Sequence, residues 1–92
     1  MRARRNDANK TALHKLWLAI GGSWLDIAPG KGGEPDALVG WRGIDRLIEI
    51  KRPDAAKVRK NQANQVAWRE KWRGSPVAVV FSFEDIRRLF DE

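Results

Sequence analysis

The 92-residue chain has no cysteine and a single histidine, His14. The first absence excludes a disulfide framework, an iron–sulfur cluster and cysteine-ligated zinc. The second excludes a histidine-rich zinc or triad site. No apolar run approaches the roughly 20 residues that a membrane span needs. The basic opening Met1–Arg5 is followed by Asn6, Asp7 and Asn9 rather than an apolar stretch, so no signal peptide is expected. Chemistry is left to carboxylates, lysines, amides and hydroxyls, in a chain expected to be cytoplasmic with no membrane partner.

What the chain has in excess is positive charge. Eighteen Lys and Arg stand against twelve Asp and Glu, a net charge of +6. A pI near 10.3 points to nucleic acid or another anionic surface, although small basic domains also arise for solubility alone. The length suits one domain spanning residues 1–92 and buries only about 60–65% of the unfolded surface, which makes a partner subunit reasonable. Apolar content of 42% is ample for a core.

Ala12, Leu13, Leu16, Trp17 and Ile20 recur at three- and four-residue spacing and predict a helix from Asp7 to Ile20, with Asp7 as N-cap and Gly21-Gly22 as its stop. Residues 23–28 read as a short strand, and 29–35, with three glycines and two prolines, as a loop. Asp36–Val39 and Arg46–Lys51 predict a hairpin turning at 40–43. Pro53 closes the second strand. Residues 57–73 predict a helix whose buried side holds Val66, Ala67, Trp68 and Trp72. Val77–Phe81 is a continuous apolar run, expected to be a strand buried on both faces. Ser82 with Glu84 and Asp85 opens a last helix carrying Ile86, Leu89 and Phe90. The order is αβββαβα, an α/β domain with a mixed sheet and one βαβ crossover.

Alternation along Arg46–Lys51 places Ile48 and Ile50 on a core face and Glu49 and Lys51 on the other, about 6.5–7 Å apart. Asp36 opens the neighbouring strand, within reach of Glu49. Two close carboxylates need a raised pKa or a cation between them. A hard ion such as Mg2+ takes two carboxylates, waters and a substrate phosphate, and an adjacent lysine can orient water or stabilise developing charge. Taken alone, Glu49 and Lys51 read more readily as a solvated cross-strand ion pair than as a catalytic set.

Gly33-Glu34-Pro35-Asp36-Ala37-Leu38-Val39-Gly40, followed by Leu47-Ile48-Glu49-Ile50-Lys51, resembles the PD-(D/E)XK nuclease signature. With Asn64-Gln65-Val66-Ala67-Trp68 and residues 72–80, the chain resembles the VRR-NUC branch of that superfamily over nearly its whole length, its small stand-alone phage members in particular. The resemblance implies a restriction-endonuclease-like fold and a metal-dependent endonuclease acting on DNA, with branched DNA such as four-way junctions as substrate. It further implies Mg2+ or Mn2+ held by Asp36, Glu49 and the Ile50 carbonyl, Lys51 as the catalytic lysine, Gln65 supporting the site, no organic cofactor, and a homodimer. Phage origin, a place in replication, recombination or repair, and host-cell cytoplasm follow from it as well. One departure stands out. Relatives carry an acid on the first helix where this chain has Lys10; Asp7 is either its substitute or a helix cap.

Gln62, Gln65 and Arg69 share a helix face, which either borders the metal site or is simply solvated. Lys51, Arg52, Lys57, Arg59 and Lys60 place five cations in ten residues, a phosphate-gripping rim that Lys31 and Arg2, Arg4 and Arg5 could extend. Trp68 and Trp72 read as core or dimer contacts, Trp41 as exposed in its turn, and His14 as a helix-surface residue. The competing readings are a non-catalytic DNA-binding module on the same fold, and an RNA- or protein-interaction domain using the tryptophans.

Overall fold

The computed structural model describes residues 5–27, 32–51 and 62–91, with the backbone alone for residues 5–8 and 62. The elements run α1 (Arg5–Ala19), β1 (Ser23–Asp26), β2 (Ala37–Trp41), β3 (Ile44–Ile50), α2 (Gln62–Lys71), β4 (Ala78–Val80) and α3 (Phe83–Arg88). The four strands form one sheet in the order β1-β2-β3-β4. β1, β2 and β3 pair antiparallel, and β4 joins β3 in parallel with α2 between them in the chain. This is the mixed αβββαβα architecture expected from the sequence.

The β2–β3 turn is tighter than residues 40–43. Trp41 pairs with Ile44, leaving only Arg42 and Gly43 between the strands, both at positive φ (54° and 83°). Two such residues match the right-handed strand twist. The Arg42 guanidinium lies 5.4 Å from the Trp41 ring, a cation–π contact at a position that usually takes Asn.

One face of the sheet carries the core. Ala37, Val39, Ile48, Ile50 and Val80 pack there against Leu13 and Trp17 of α1 and Ile86 of α3. Trp17 anchors this layer: it is buried, donates Nε1–H to the Ser23 carbonyl at 3.0 Å, and meets the rings of Trp41, Phe83 and Phe90. Ser82 caps α3, its hydroxyl accepting the Asp85 N–H at 3.2 Å.

Several expectations change. Asp7 is not an N-cap, because α1 already starts at Arg5. The buried stripe of α1 narrows to Leu13 and Trp17, with Leu16 and Ile20 exposed, since the helix lies toward the short edge strand β1. His14 is half-buried and stacks on Trp24 at 4.8 Å rather than standing on the surface. Trp41 is half-buried against Trp17 rather than exposed. The strand within Val77–Phe81 is an edge strand, not one buried on both faces: Val80 enters the core while Val79 and Phe81 are exposed. The apolar side of α2 is likewise open, with Val66 and Trp72 exposed and Trp72 stacked on Trp68 at 5.0 Å.

Candidate active site

The site lies where β3 ends, on the sheet face opposite the core. Ile48 and Ile50 point into the core, so pleating turns Glu49 and Lys51 the other way. Asp36 stands one residue before β2, beyond the Ala37–Ile48 pair and hence beside Glu49. Its backbone is held from both sides: the N–H donates to the Ile48 carbonyl at 2.9 Å, and the carbonyl accepts the Ile27 N–H at 3.0 Å. Its carboxylate Oδ2 accepts the Ile50 N–H at 2.7 Å. The β2 ladder ends at Ala37, and the Asp36 carboxylate gives the Ile50 N–H an acceptor just beyond it.

Glu49, Lys51 and Gln65 form a closed polar triangle. Gln65, half-buried on α2, donates Nε2–H to Glu49 Oε2 at 3.0 Å. Its Oε1 accepts from Lys51 Nζ at 3.2 Å, and that ammonium lies 3.7 Å from Glu49 Oε2. Only one orientation of the amide satisfies both partners, since the carboxylate accepts and the ammonium donates. Glu49 is 7% exposed. Burial, and then the neighbouring Asp36 carboxylate, push its carboxyl up to about 7, against the opposing pull of Lys51 and Arg69. Asp36, Glu49, Lys51 and Gln65 are therefore gathered at one end of the sheet, with Arg69 near enough to act on Glu49 through its charge.

Other expected site residues lie elsewhere or outside the described residues. Lys31, Arg52, Lys57, Arg59 and Lys60 fall outside, as do the side chains of Asp7 and Gln62. Lys10, at the position where the resemblance implies an acid, pairs with Asp26 at 3.5 Å. Trp24 Nε1–H also donates to Asp26, at 2.8 Å, and that bond leads Lys10 and His14 in holding the Asp26 carboxyl below its usual range.

Among the described residues there is no group of three or more His, Cys, Asp or Glu able to hold a metal. Two carboxylates are enough for the reluctantly dehydrating Mg2+, which keeps several waters. The chemistry of this pair fits such an ion: the Asp36–Glu49 repulsion that favours a proton on Glu49 is the repulsion a divalent cation relieves. A cavity of about 270 Å3 at the far end of β2, lined by Trp17, Trp41, Arg42, Phe83, Arg87 and others, has Asp91 as its one acid. It does not offer this chemistry.

One participant escaped the sequence reading. Gly33 has φ of 86° and lies against the α2 backbone at Asn64 and Gln65. Its signal is a glycine three residues before Asp36, inside a run already dense in glycine and proline.

A solved structure described as a VRR_NUC domain is similar to this chain, with a TM-score of 0.69 and 26% sequence identity over 97% of each chain. No family model matches the sequence, and no curated protein sequence does.

Proposed function

This chain belongs to the VRR-NUC family, a nuclease-type domain, and from that premise we propose that it hydrolyses DNA phosphodiester bonds with a divalent ion held by Asp36 and Glu49. The observation that carries this reading is the convergence of Asp36, Glu49, Lys51 and Gln65 at one end of the sheet.

Asp36 and Glu49 would hold Mg2+ or Mn2+, with the Ile50 carbonyl as a further oxygen ligand. When bound, the ion supplies charge neutralisation at the phosphate and makes water more acidic. Lys51 is the group that touches the reacting atoms: its ammonium, held in place by Gln65, orients the attacking water or donates to a phosphate oxygen as charge develops there. Gln65 fixes Glu49 and Lys51 relative to each other, which keeps the lysine from closing fully on the carboxylate. Arg69 adds positive potential beside Glu49. Arg52, Lys57, Arg59 and Lys60, whose charge follows the catalytic strand directly in the chain, are assigned to the phosphate backbone, together with Lys31, Gln62 and Arg69. The remaining parts of the proposal are a single domain over 1–92, a homodimer, branched DNA as substrate and a phage role in replication, recombination or repair.

A second reading, a DNA-binding module that has lost cleavage, is favoured by one observation: the first-helix position holds Lys10, engaged with Asp26. Incubation with supercoiled and four-way-junction DNA in Mg2+, Mn2+ or EDTA separates the two. Metal-dependent cleavage lost in Asp36→Ala and Lys51→Ala, with binding retained, supports the nuclease. Binding with no cleavage of any substrate supports the module.

A further inference from the structure

We propose that Gly33 is a positioning residue: it seats the α2 backbone at Asn64–Gln65 and so sets the Gln65 bridge between Glu49 and Lys51. The inference rests on the nuclease reading above and assigns the loop before Asp36 a second task, beyond delivering that carboxylate.

A Cβ on Gly33 would overlap the Asn64 carbonyl group and stand 2.7 Å from the Gln65 backbone nitrogen. These are backbone atoms, so no side-chain rotation relieves the overlap. Restoring an ordinary 3.4 Å contact moves the loop and α2 apart by at least about 0.7 Å at Gln65 N, and further at Asn64. The Gln65 bonds, at 3.0 and 3.2 Å, have little room for such a displacement before they fail.

Among the described residues, Ala63, Val66 and Ala67 of α2 are exposed, while its backbone at Asn64–Gln65 lies against Gly33 and its Gln65 side chain joins the polar triangle. The two contacts are adjacent in α2, so a shift at one is passed to the other. Misplacement of a reacting group by about 1 Å costs up to about 100-fold in rate.

The backbone conformation and the lack of a side chain are separable. Asn tolerates positive φ but carries a Cβ, as Ala does. A Cβ on Gly32 would meet only the flexible Glu34 carboxylate, at 3.3 Å, which makes Gly32→Ala the control.

The test follows the Gln65 side-chain amide by 1H–15N NMR, identified by its loss in Gln65→Ala, together with metal-dependent cleavage by each variant. Gly33→Ala and Gly33→Asn are expected to move that signal to its random-coil position while Gly32→Ala leaves it in place. Both Gly33 variants are expected to lower kcat by about tenfold or more with KM within about twofold, and Gly33→Ala made in a Gln65→Ala background should cost less than about twofold further. The proposal is overturned by an unmoved amide signal, by full activity in Gly33→Asn, or by additive losses in the double variant. A Gly33→Ala chain that does not fold also overturns it, because the core around Trp17 lies on the other face of the sheet. Wild-type protein with no cleavage refutes the nuclease reading instead, and the amide signal still decides the placement of α2.

Discussion

Replacing Glu49 by Gln should make the protein more stable above neutral pH. The Glu49 carboxyl lies near 7 in the fold against an ordinary value of 4.5, chiefly because it is buried and secondly because Asp36 stands beside it. The folded chain thus holds a proton that the unfolded chain has released, and between pH 4.5 and 7 folding takes up that proton. Stability from this group is complete below about pH 4.5 and falls as pH rises, levelling off above about 7. The difference of about 2.5 pH units corresponds to about 3 kcal/mol, at about 1.4 kcal/mol per unit. Gln has the same shape, no charge, and an oxygen that can still accept the Gln65 Nε2–H bond. Glu49→Gln should therefore match wild type near pH 4.5 and exceed it by up to about 3 kcal/mol at pH 8. Urea unfolding in EDTA at pH 4.5, 6 and 8 measures this. With a slope of about 1–3 kcal/mol per molar urea, the midpoint difference at pH 8 is on the order of 1–3 M. Mg2+ added at pH 8 should narrow the gap by stabilising wild type alone. A variant less stable than wild type at pH 8, or a difference that does not change between pH 4.5 and 8, refutes the reasoning.

Asp36→Asn keeps an oxygen for the Ile50 N–H, so its melting temperature should stay close to wild type while cleavage falls at least about 100-fold, a loss of about 2.7 kcal/mol of transition-state stabilisation, read from initial rates. Ile48→Ala opens a hole at the centre of the sheet, where the side chain is fully buried, and should cost about 2–5 kcal/mol in urea unfolding. Ser82→Ala removes the α3 cap and should cost about 1 kcal/mol, measured the same way, with no effect on metal-dependent cleavage.

The part of the molecule that was legible in the sequence is the part governed by period. Two apolar residues alternating with two charged ones fixed the faces of β3, so Ile48 and Ile50 fall in the core with Glu49 and Lys51 opposite. Gly43 and the Ser82-Glu84-Asp85 run likewise marked a turn and a cap by local chemistry that the tertiary structure left in place. What was not legible depended on which surfaces meet. A run such as Val77–Phe81 does not distinguish a central strand from an edge strand, because both are apolar; only the order of pairing exposes Val79 and Phe81. The apolar stripe on α1 is broader in the sequence than in the fold for a similar reason: a helix lying near a four-residue edge strand needs fewer buried side chains than its periodicity offers.

At the site, Asp36, Glu49 and Lys51 followed from register, whereas Gln65 followed from resemblance, since a glutamine on a polar helix face carries no signal of its own. Gly33 was hidden because its importance lies in a contact with Asn64 and Gln65, some thirty residues later in the chain. The Arg42 turn was hidden as well: a positive φ at arginine runs against preference and is accompanied by the ring of Trp41 beneath it.

Whether Asp36 and Glu49 form one divalent-ion site is read directly by titrating the protein with Mn2+ and following electron paramagnetic resonance. One ion per chain is expected to bind at pH 8, with binding lost in both Asp36→Asn and Glu49→Gln and retained in Lys51→Ala. No bound ion in the wild-type protein, or an ion whose binding survives both carboxylate substitutions, would contradict such a site.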